Sequence, residues 1–250
     1  MWFRRDLRLL DNPALLAASE AAVADGDGAV VPLFVVDPVL WEKAGPVRQN
    51  YLVASLDALG ASMNRSLLIR HGDPAVILPE VVQACGATSV HIAADFAPYG
   101  MRRDLAVEQA LGSTPLVRTG SAYAVAPGRV TKGDGTPYRV FTPFYRAWMN
   151  HGWRAPAGDL PSNIQWLMPM ECQGRPTAQT LAGITLPPAG EQAAWAQWMD
   201  YRENTLMKYS SERDRPDLNT TSKLSHHLRW GEIHPRSLLA ELNEEDEDRK

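Results

Sequence analysis

The chain has 250 residues, 45% of them hydrophobic and 22% charged, enough for one substantial core or two modest ones. A net charge of −4 excludes a global pull toward nucleic acid, so any DNA contact needs a local basic patch. Cys85 and Cys172 fit neither a disulfide framework nor a metal cluster, and no charged-then-apolar leader or bilayer-length apolar run occurs, which indicates a reducing cytoplasm.

The elements follow in chain order. Residues 1–3 read as the end of a first strand, and Asp11-Asn12 can cap an Ala/Leu-rich helix over 13–24. Residues 29–36 form a β-branched run of buried-strand length, ending in an Asp37-Pro38 turn. Leu52, Leu56, Leu59 and Met63 recur at helical spacing over 48–63. A strand at 66–70, a helix from Asp73-Pro74 to about Cys85, a strand at 89–93, a helix at 102–111 and a last short strand at 116–118 complete the rhythm. This alternation predicts an α/β unit over 1–125, a doubly wound parallel sheet of Rossmann-like type.

Residues 126–190 hold Gly128, Gly133-Asp134-Gly135 and many prolines, with one helical piece at 143–150, and read as a long irregular linker between domains. The pattern turns helical after Gly190-Glu191, over 193–209, again from 222, and after His234-Pro235, where Leu238, Leu239 and Leu242 share a face. Residues 191–250 are therefore expected to form the start of an all-α domain that closes on the acidic run 244–248. The helices from 193 onward are expected to expose an apolar face without a partner. The eight tryptophans are expected to serve core and interface packing.

Few motifs carry chemistry. No P-loop or post-strand GxGxxG occurs; His71, His91 and His151 read as structural, and His226-His227 are expected on different helix faces. Arg4-Arg5-Asp6-Leu7-Arg8 follows the first strand, where open α/β sheets hold ligands. A salt-bridge cluster around Asp6 and Asp11 between domains explains the same run, and the two readings can coexist. Near the end, Thr221, Ser222, Lys223 and Ser225 stand at an expected helix start, with Tyr209 upstream. Hydroxyls, free amides and a positive dipole end suit a phosphate; an ordinary capped loop is the alternative.

Residues 2–15 (WFRRDLRLLDNPAL) and 221–236 (TSKLSHHLRWGEIHPR) resemble two signatures of the DNA photolyase/cryptochrome family. FVVDP at 34–38, RQNYLVASLDAL at 48–59, GDP at 72–74, DFAPYG at 95–100 and TPYRVFTPF at 136–144 are also family-like and in order. The resemblance implies an α/β antenna domain, a linker, and the first part of a helical FAD-binding domain, in a fragment of a longer protein. It implies that Tyr209, Thr221, Ser222, Lys223, Leu224 and Ser225 contact the diphosphate of FAD. It also implies that Arg5, Asp37, Asp95 and Arg229 approach a second, antenna chromophore, a deazaflavin or methenyltetrahydrofolate, although Ala97 replaces a frequent glutamate. Arg213 matches a basic position near the DNA backbone.

The implied activity is light-driven, FAD-dependent splitting of cyclobutane pyrimidine dimers in damaged DNA, with the catalytic residues beyond 250 and a monomeric intact protein. A blue-light photoreceptor, a (6-4) photolyase, or a non-catalytic nucleotide-binding module are the rival readings.

Overall fold

The computed structural model describes residues 1–26 and 28–248, with side chains through residue 242. The acidic run 244–248 thus lies outside the described side chains.

Strand β1 (Trp2–Phe3) pairs in parallel with β3 (Leu33–Val36), and β3 with β4 (Leu68–His71). On the other side of β1 lies β5 (Val90–Ala94), paired in parallel with β6 (Leu116–Ser121). Side chains alternate across these strands. Phe3, Phe34, Val36 and Ile69 pack with Leu15 of α1 (Pro13–Asp25) and Leu56 and Leu59 of α3 (Pro46–Ser62). Trp2, Leu33, Val35 and Leu68 face Ile77, Leu78 and Val81 of α4 (Pro74–Cys85) and Val107 and Leu111 of α5 (Pro98–Leu111). A period of two with both faces apolar requires a sheet covered on both sides, so the fold is the expected doubly wound α/β type.

The helix starts obey local chemistry. Asn12, Asp37 and Asp73 each accept a hydrogen bond from an amide of the first turn, and a proline follows each cap. Asp37 thereby starts a single helical turn, α2 (Pro38–Trp41), where only a turn was expected. Pro32 has no N–H for a ladder and splits the expected 29–36 strand into β2 (Ala29–Val30) and β3.

Three expectations about the later chain are corrected. The connector is not simply irregular. Its helix α6 spans Phe141–His151, and β7 (Gln165–Trp166) pairs in parallel with β2. The Gln173 amide donates to the Ile69 carbonyl at 3.0 Å and His71 Nε2 lies 2.8 Å from the Gly174 carbonyl, so this stretch covers the β4 edge. The helix expected over 193–209 ends early: α7 spans Glu191–Asn204, followed by a 3₁₀ turn at Leu206–Lys208 and the short α8 (Tyr209–Glu212). At Thr205 the amide and the hydroxyl both donate to the Tyr201 carbonyl, a side-chain bond that competes with helix continuation. The apolar face of α7 is also not bare. Ala194, Trp198 and Tyr201 are buried against Leu224 and Ile233, which flank α9 (Ser225–Trp230) ahead of α10 (Pro235–Asp248).

The helices are tied to the sheet by a buried polar junction. Residues 7–11 supply most of it. The Leu7 amide donates to the Trp230 carbonyl at 3.1 Å, and Arg8 donates to the Gly231 carbonyl at 3.0 Å. The Leu9 and Leu10 amides donate to Glu191, each at 2.9 Å. The Asp11 carboxylate accepts from the Ala157 amide at 2.7 Å, from Arg236 at 3.0 Å and from Ser237 at 2.9 Å. Deeper in, Glu232 accepts from Tyr51 at 2.7 Å and from the Gly190 amide at 2.7 Å, with His227 Nδ1 at 2.5 Å. The salt-bridge reading of the arginine run does not hold as expected: Arg8 donates to the Gly231 and Asp11 backbone carbonyls, and the Asp11 carboxylate pairs with Arg236 rather than with the run. Asp6 instead accepts locally from the Arg4 amide.

His234 is pushed down chiefly by burial and is neutral, its Nε2 donating to the Ser121 carbonyl and its Nδ1 accepting from the Arg236 amide. Its 3.3 Å approach to Asp11 is then no ion pair, and the Ala157 amide, Ser237 and Arg236 carry the site. Burial raises Asp11, yet the Ala157 amide and the Arg236 charge outweigh it and hold the carboxyl below its ordinary value of 3.8. A depressed carboxylate stabilises fully above its ordinary value and loses that contribution as pH falls through its folded value. Thermal melts between pH 4 and pH 2 should fall more steeply for the wild type than for Asp11→Asn. Equal slopes would exclude Asp11 as the acid-sensitive group.

Gly231 sits at φ 68°, and a Cβ there would lie 2.0 Å from the Arg5 carbonyl oxygen. Gly231→Ala should therefore cost on the order of 3 kcal/mol in chemical unfolding, because backbone meets backbone. A change below about 0.5 kcal/mol would mean that the close approach is not needed.

Candidate cofactor cleft at the strand ends

The chain leaves β1 toward β3 and β4, then returns to β5 on the opposite side. That reversal opens a crevice at the carboxyl ends of the strands, the usual ligand position in open α/β sheets. The cleft here has a volume of about 280 Å³. Trp2, Phe34 and Leu52 form apolar lining, and Trp41 and Trp230 add aromatic surface.

The polar groups are unevenly matched. Arg5, Lys43, Arg48, Arg103 and Arg229 line the cleft beside two carboxylates, Asp37 and Asp95. Both carboxylates are already engaged. Asp95 lies 3.3 Å from Arg5 and 3.6 Å from Arg103 and accepts the Ala97 amide at 3.0 Å. Gly100 allows this contact, since a Cβ there would lie 2.2 Å from the Asp95 carboxylate. Asp37 accepts the Val39 amide at 3.0 Å and the Tyr99 hydroxyl. Burial, then Asp37, pushes Tyr99 upward, so it remains a protonated donor. Arg229 is pushed down by burial and then by the nearby charges of Arg5 and Arg48. Cations that repel one another at a cleft mouth suit an anionic ligand. The floor adds a second sign: the Arg4 and Arg103 guanidiniums lie 4.9 and 5.0 Å from the Trp2 ring centroid, and the buried Trp2 indole N–H has no partner among the described residues. A flat, anionic aromatic group fits this lining.

Of the expected site residues, Arg5, Asp37, Asp95 and Arg229 converge here from four separate segments. Arg48, Arg103 and Tyr99 were missed. The proline-led starts of α3 and α5 place Arg48 and Tyr99 in the first turns at the cleft, and that signal was readable.

The expected phosphate cluster is arranged differently. Helix α9 begins only at Ser225, and its N-cap Leu224 makes no side-chain capping bond. Thr221, Ser222 and Lys223 lie in the preceding loop, where Lys223 adopts φ 50°. Leu224 is buried in the helical core, leaving only its backbone for a ligand, and Tyr209 is exposed at the start of α8. These residues line neither of the two large cavities, so they do not enclose a cofactor among themselves. Arg213 is exposed at the end of α8, 3.7 Å from Asp214. The His226 and His227 rings do not diverge as expected; their centroids are 4.1 Å apart.

A doubly wound sheet with an anion-suited crevice at its switch point defines an α/β protein of the cofactor-binding class. Residues 1–162 match the family profile described as DNA photolyase, and the chain belongs to that family. It is 32% identical to a deoxyribodipyrimidine photo-lyase of Halobacterium salinarum over 95% of this chain and 53% of that protein. It resembles the crystal structure of a class III photolyase from Agrobacterium tumefaciens, with TM-score 0.73 and 31% identity over 96% of this chain and 51% of the other. A Synechocystis cryptochrome structure superposes with TM-score 0.84 at 21% identity, over 99% of this chain and 55% of that one. The chain thus spans about half the length of the photolyases it matches.

If Arg229 is held against the repulsion of Arg5 and Arg48, then Arg229→Gln should leave the melting temperature unchanged or slightly raised at low salt. A clear drop would assign Arg229 a structural role instead.

Proposed function

We propose that these residues form the antenna domain (1–125), linker (126–190) and first part of the FAD-binding domain (191–250) of a light-driven deoxyribodipyrimidine photo-lyase. The observation that carries this reading is the convergence of Arg5, Asp37, Asp95 and Arg229 on one cationic, aromatic-floored cleft in a photolyase-family chain.

In this reading the cleft holds the antenna chromophore, a deazaflavin or methenyltetrahydrofolate. Arg48 and Arg229 hold its anionic part at the mouth, and Tyr99, whose single proton is donated to Asp37, presents its ring and an accepting oxygen to the cleft. Trp2 supplies the flat floor, and its free indole N–H is available to an acceptor. Tyr209, Thr221, Ser222, Lys223, Ser225 and the Leu224 backbone supply one wall for the FAD diphosphate. Lys223, exposed and without an ion pair among the described residues, gives the charge there, and the left-handed turn at Lys223 places it in the loop ahead of α9. Reduced FAD, when bound, supplies the electron that splits a pyrimidine dimer. Arg213 on the exposed face beyond α8 would meet the phosphate backbone of the damaged DNA.

Titration of the purified chain with a deazaflavin and with methenyltetrahydrofolate, followed by fluorescence, tests the cleft. One of the two should bind, and Arg48→Gln should weaken it by about tenfold, the loss expected for a charge-assisted contact. Absence of binding by both would remove the antenna assignment. The activity is tested on the full-length protein, of which these residues are the first part, by blue-light-dependent loss of cyclobutane dimers from an irradiated oligonucleotide. Bound FAD without light-dependent repair would overturn the lyase reading in favour of a photoreceptor.

A further inference from the structure

Helix α6 and its flanks lie outside the strand-end cleft and outside the loop ahead of α9. The helix spans Phe141–His151 and buries none of its residues, although its sequence, FTPFYRAWMNH, is rich in aromatics. Amphipathic helices of this kind normally press their apolar stripe into a core. Here Phe141 is 75% exposed, Tyr145 47% and Met149 45%, at positions i, i+4 and i+8 of one face. The rings are also ordered among themselves. Phe141 stacks on Tyr145 with centroids 5.8 Å apart and planes at 22°, and Trp148 stacks on Trp153 at 4.7 Å and 24°. The result is a pre-arranged set of flat faces.

The charge around this helix is the reverse of the rest of the chain. Residues 129–154 carry Arg129, Lys132, Arg139, Arg146 and Arg154 against a single acid, Asp134, in a protein of net charge −4. All five cations are exposed, and none forms an ion pair among the described residues. Five unpaired cations within 26 residues, in a stretch that also carries exposed aromatic rings, complement a polyanion that presents flat apolar faces. Unpaired nucleic acid is such a ligand: its phosphates meet cations and its splayed bases stack on aromatic side chains. Duplex DNA offers the phosphates but keeps its bases stacked internally.

We propose that the α6 platform, with the arginines flanking it, is a binding surface for single-stranded nucleic acid. Its residues are distinct from Arg213, from the cleft lining and from the loop ahead of α9. The contact is independent of any lesion and of light, because no part of it touches the cleft or the loop ahead of α9. Phe141 and Tyr145 supply stacking, and Arg139 and Arg146 neutralise phosphates.

Fluorescence anisotropy with a labelled oligo(dT) and with a duplex of equal length, in the dark and without added cofactor, tests this with the full chain. The single strand should bind more tightly than the duplex. Phe141→Ala/Tyr145→Ala should weaken the single strand by about tenfold or more while leaving duplex binding nearly unchanged, since one lost stack is enough for such a loss. Arg139→Gln/Arg146→Gln should lower the slope of log affinity against log salt by about 1.4 for the single strand. All four side chains are exposed, so the variants should melt as the wild type does, which is checked by circular dichroism. Equal affinity for single strand and duplex, or oligo(dT) binding unchanged in both variants, would overturn the proposal. So would a stable dimer that Phe141→Ala/Tyr145→Ala dissolves and oligo(dT) does not, because the face would then belong to a second copy.

Discussion

The structure depends on the buried polar junction between the segment after β1 and the helices. Hydrophobic burial can press two surfaces together, but it does not set their register. The junction does. The Leu9 and Leu10 amides both end on Glu191, Arg8 ends on the Gly231 carbonyl, and Asp11 gathers Ala157, Arg236 and Ser237. Each is a group whose burial without a partner costs more than the bond gains, so a shifted register is penalised several times at once. Glu232 shows the same logic from the other side. Burial pushes its carboxyl up, but His227, Ser55, Tyr51 and the Gly190 amide reverse this and hold it charged. One carboxylate thereby joins α3, the start of α7 and the end of α9.

That register has a consequence for the cleft. Trp230 and Arg229 belong to α9, while the rest of the lining comes from the α/β unit. The Leu7 amide is bonded to the Trp230 carbonyl, and Gly231 abuts the Arg5 carbonyl, so the rim is completed by the same contacts that dock the helices. A weaker junction would withdraw a cation and an aromatic wall from the mouth. Docking of the helices and the shape of the cleft rim are therefore linked through two adjacent peptide units.

Much of this was legible in the sequence, and the reasons are local. Asn12, Asp37 and Asp73 before prolines announce helix starts through chemistry confined to one turn, and each cap forms. The two-faced strands read correctly because buried parallel strands need only apolar residues of the right length. What failed depended on distant partners. Nothing near Gln165 says that it pairs with Ala29, and nothing near Leu224 says that its side chain is drawn into the helical core, which delays α9 to Ser225. For the cleft, the four residues carried by resemblance converge. Arg103 could not be found by spacing, because its role comes from lying over Trp2, nearly the whole unit away in sequence.

The arginine run at residues 4–8 sends its three side chains to three different places. In extended backbone, neighbouring side chains point to opposite sides, and a short loop then changes direction. Arg4 turns inward to Asp104 at 2.5 Å and to the Ala93 carbonyl, Arg5 turns to the cleft and Asp95, and Arg8 turns to the helices. Arg4 and Arg8 are pushed down chiefly by burial, which marks them as structural cations whose charge is consumed by fixed partners. Arg5 keeps part of its surface open. Of the three, it alone combines cleft position with exposure, so the run provides two anchors and one charge that faces the cleft. The anchors make that charge useful, since a guanidinium on a loop free to move would lose in ordering what it gains in attraction.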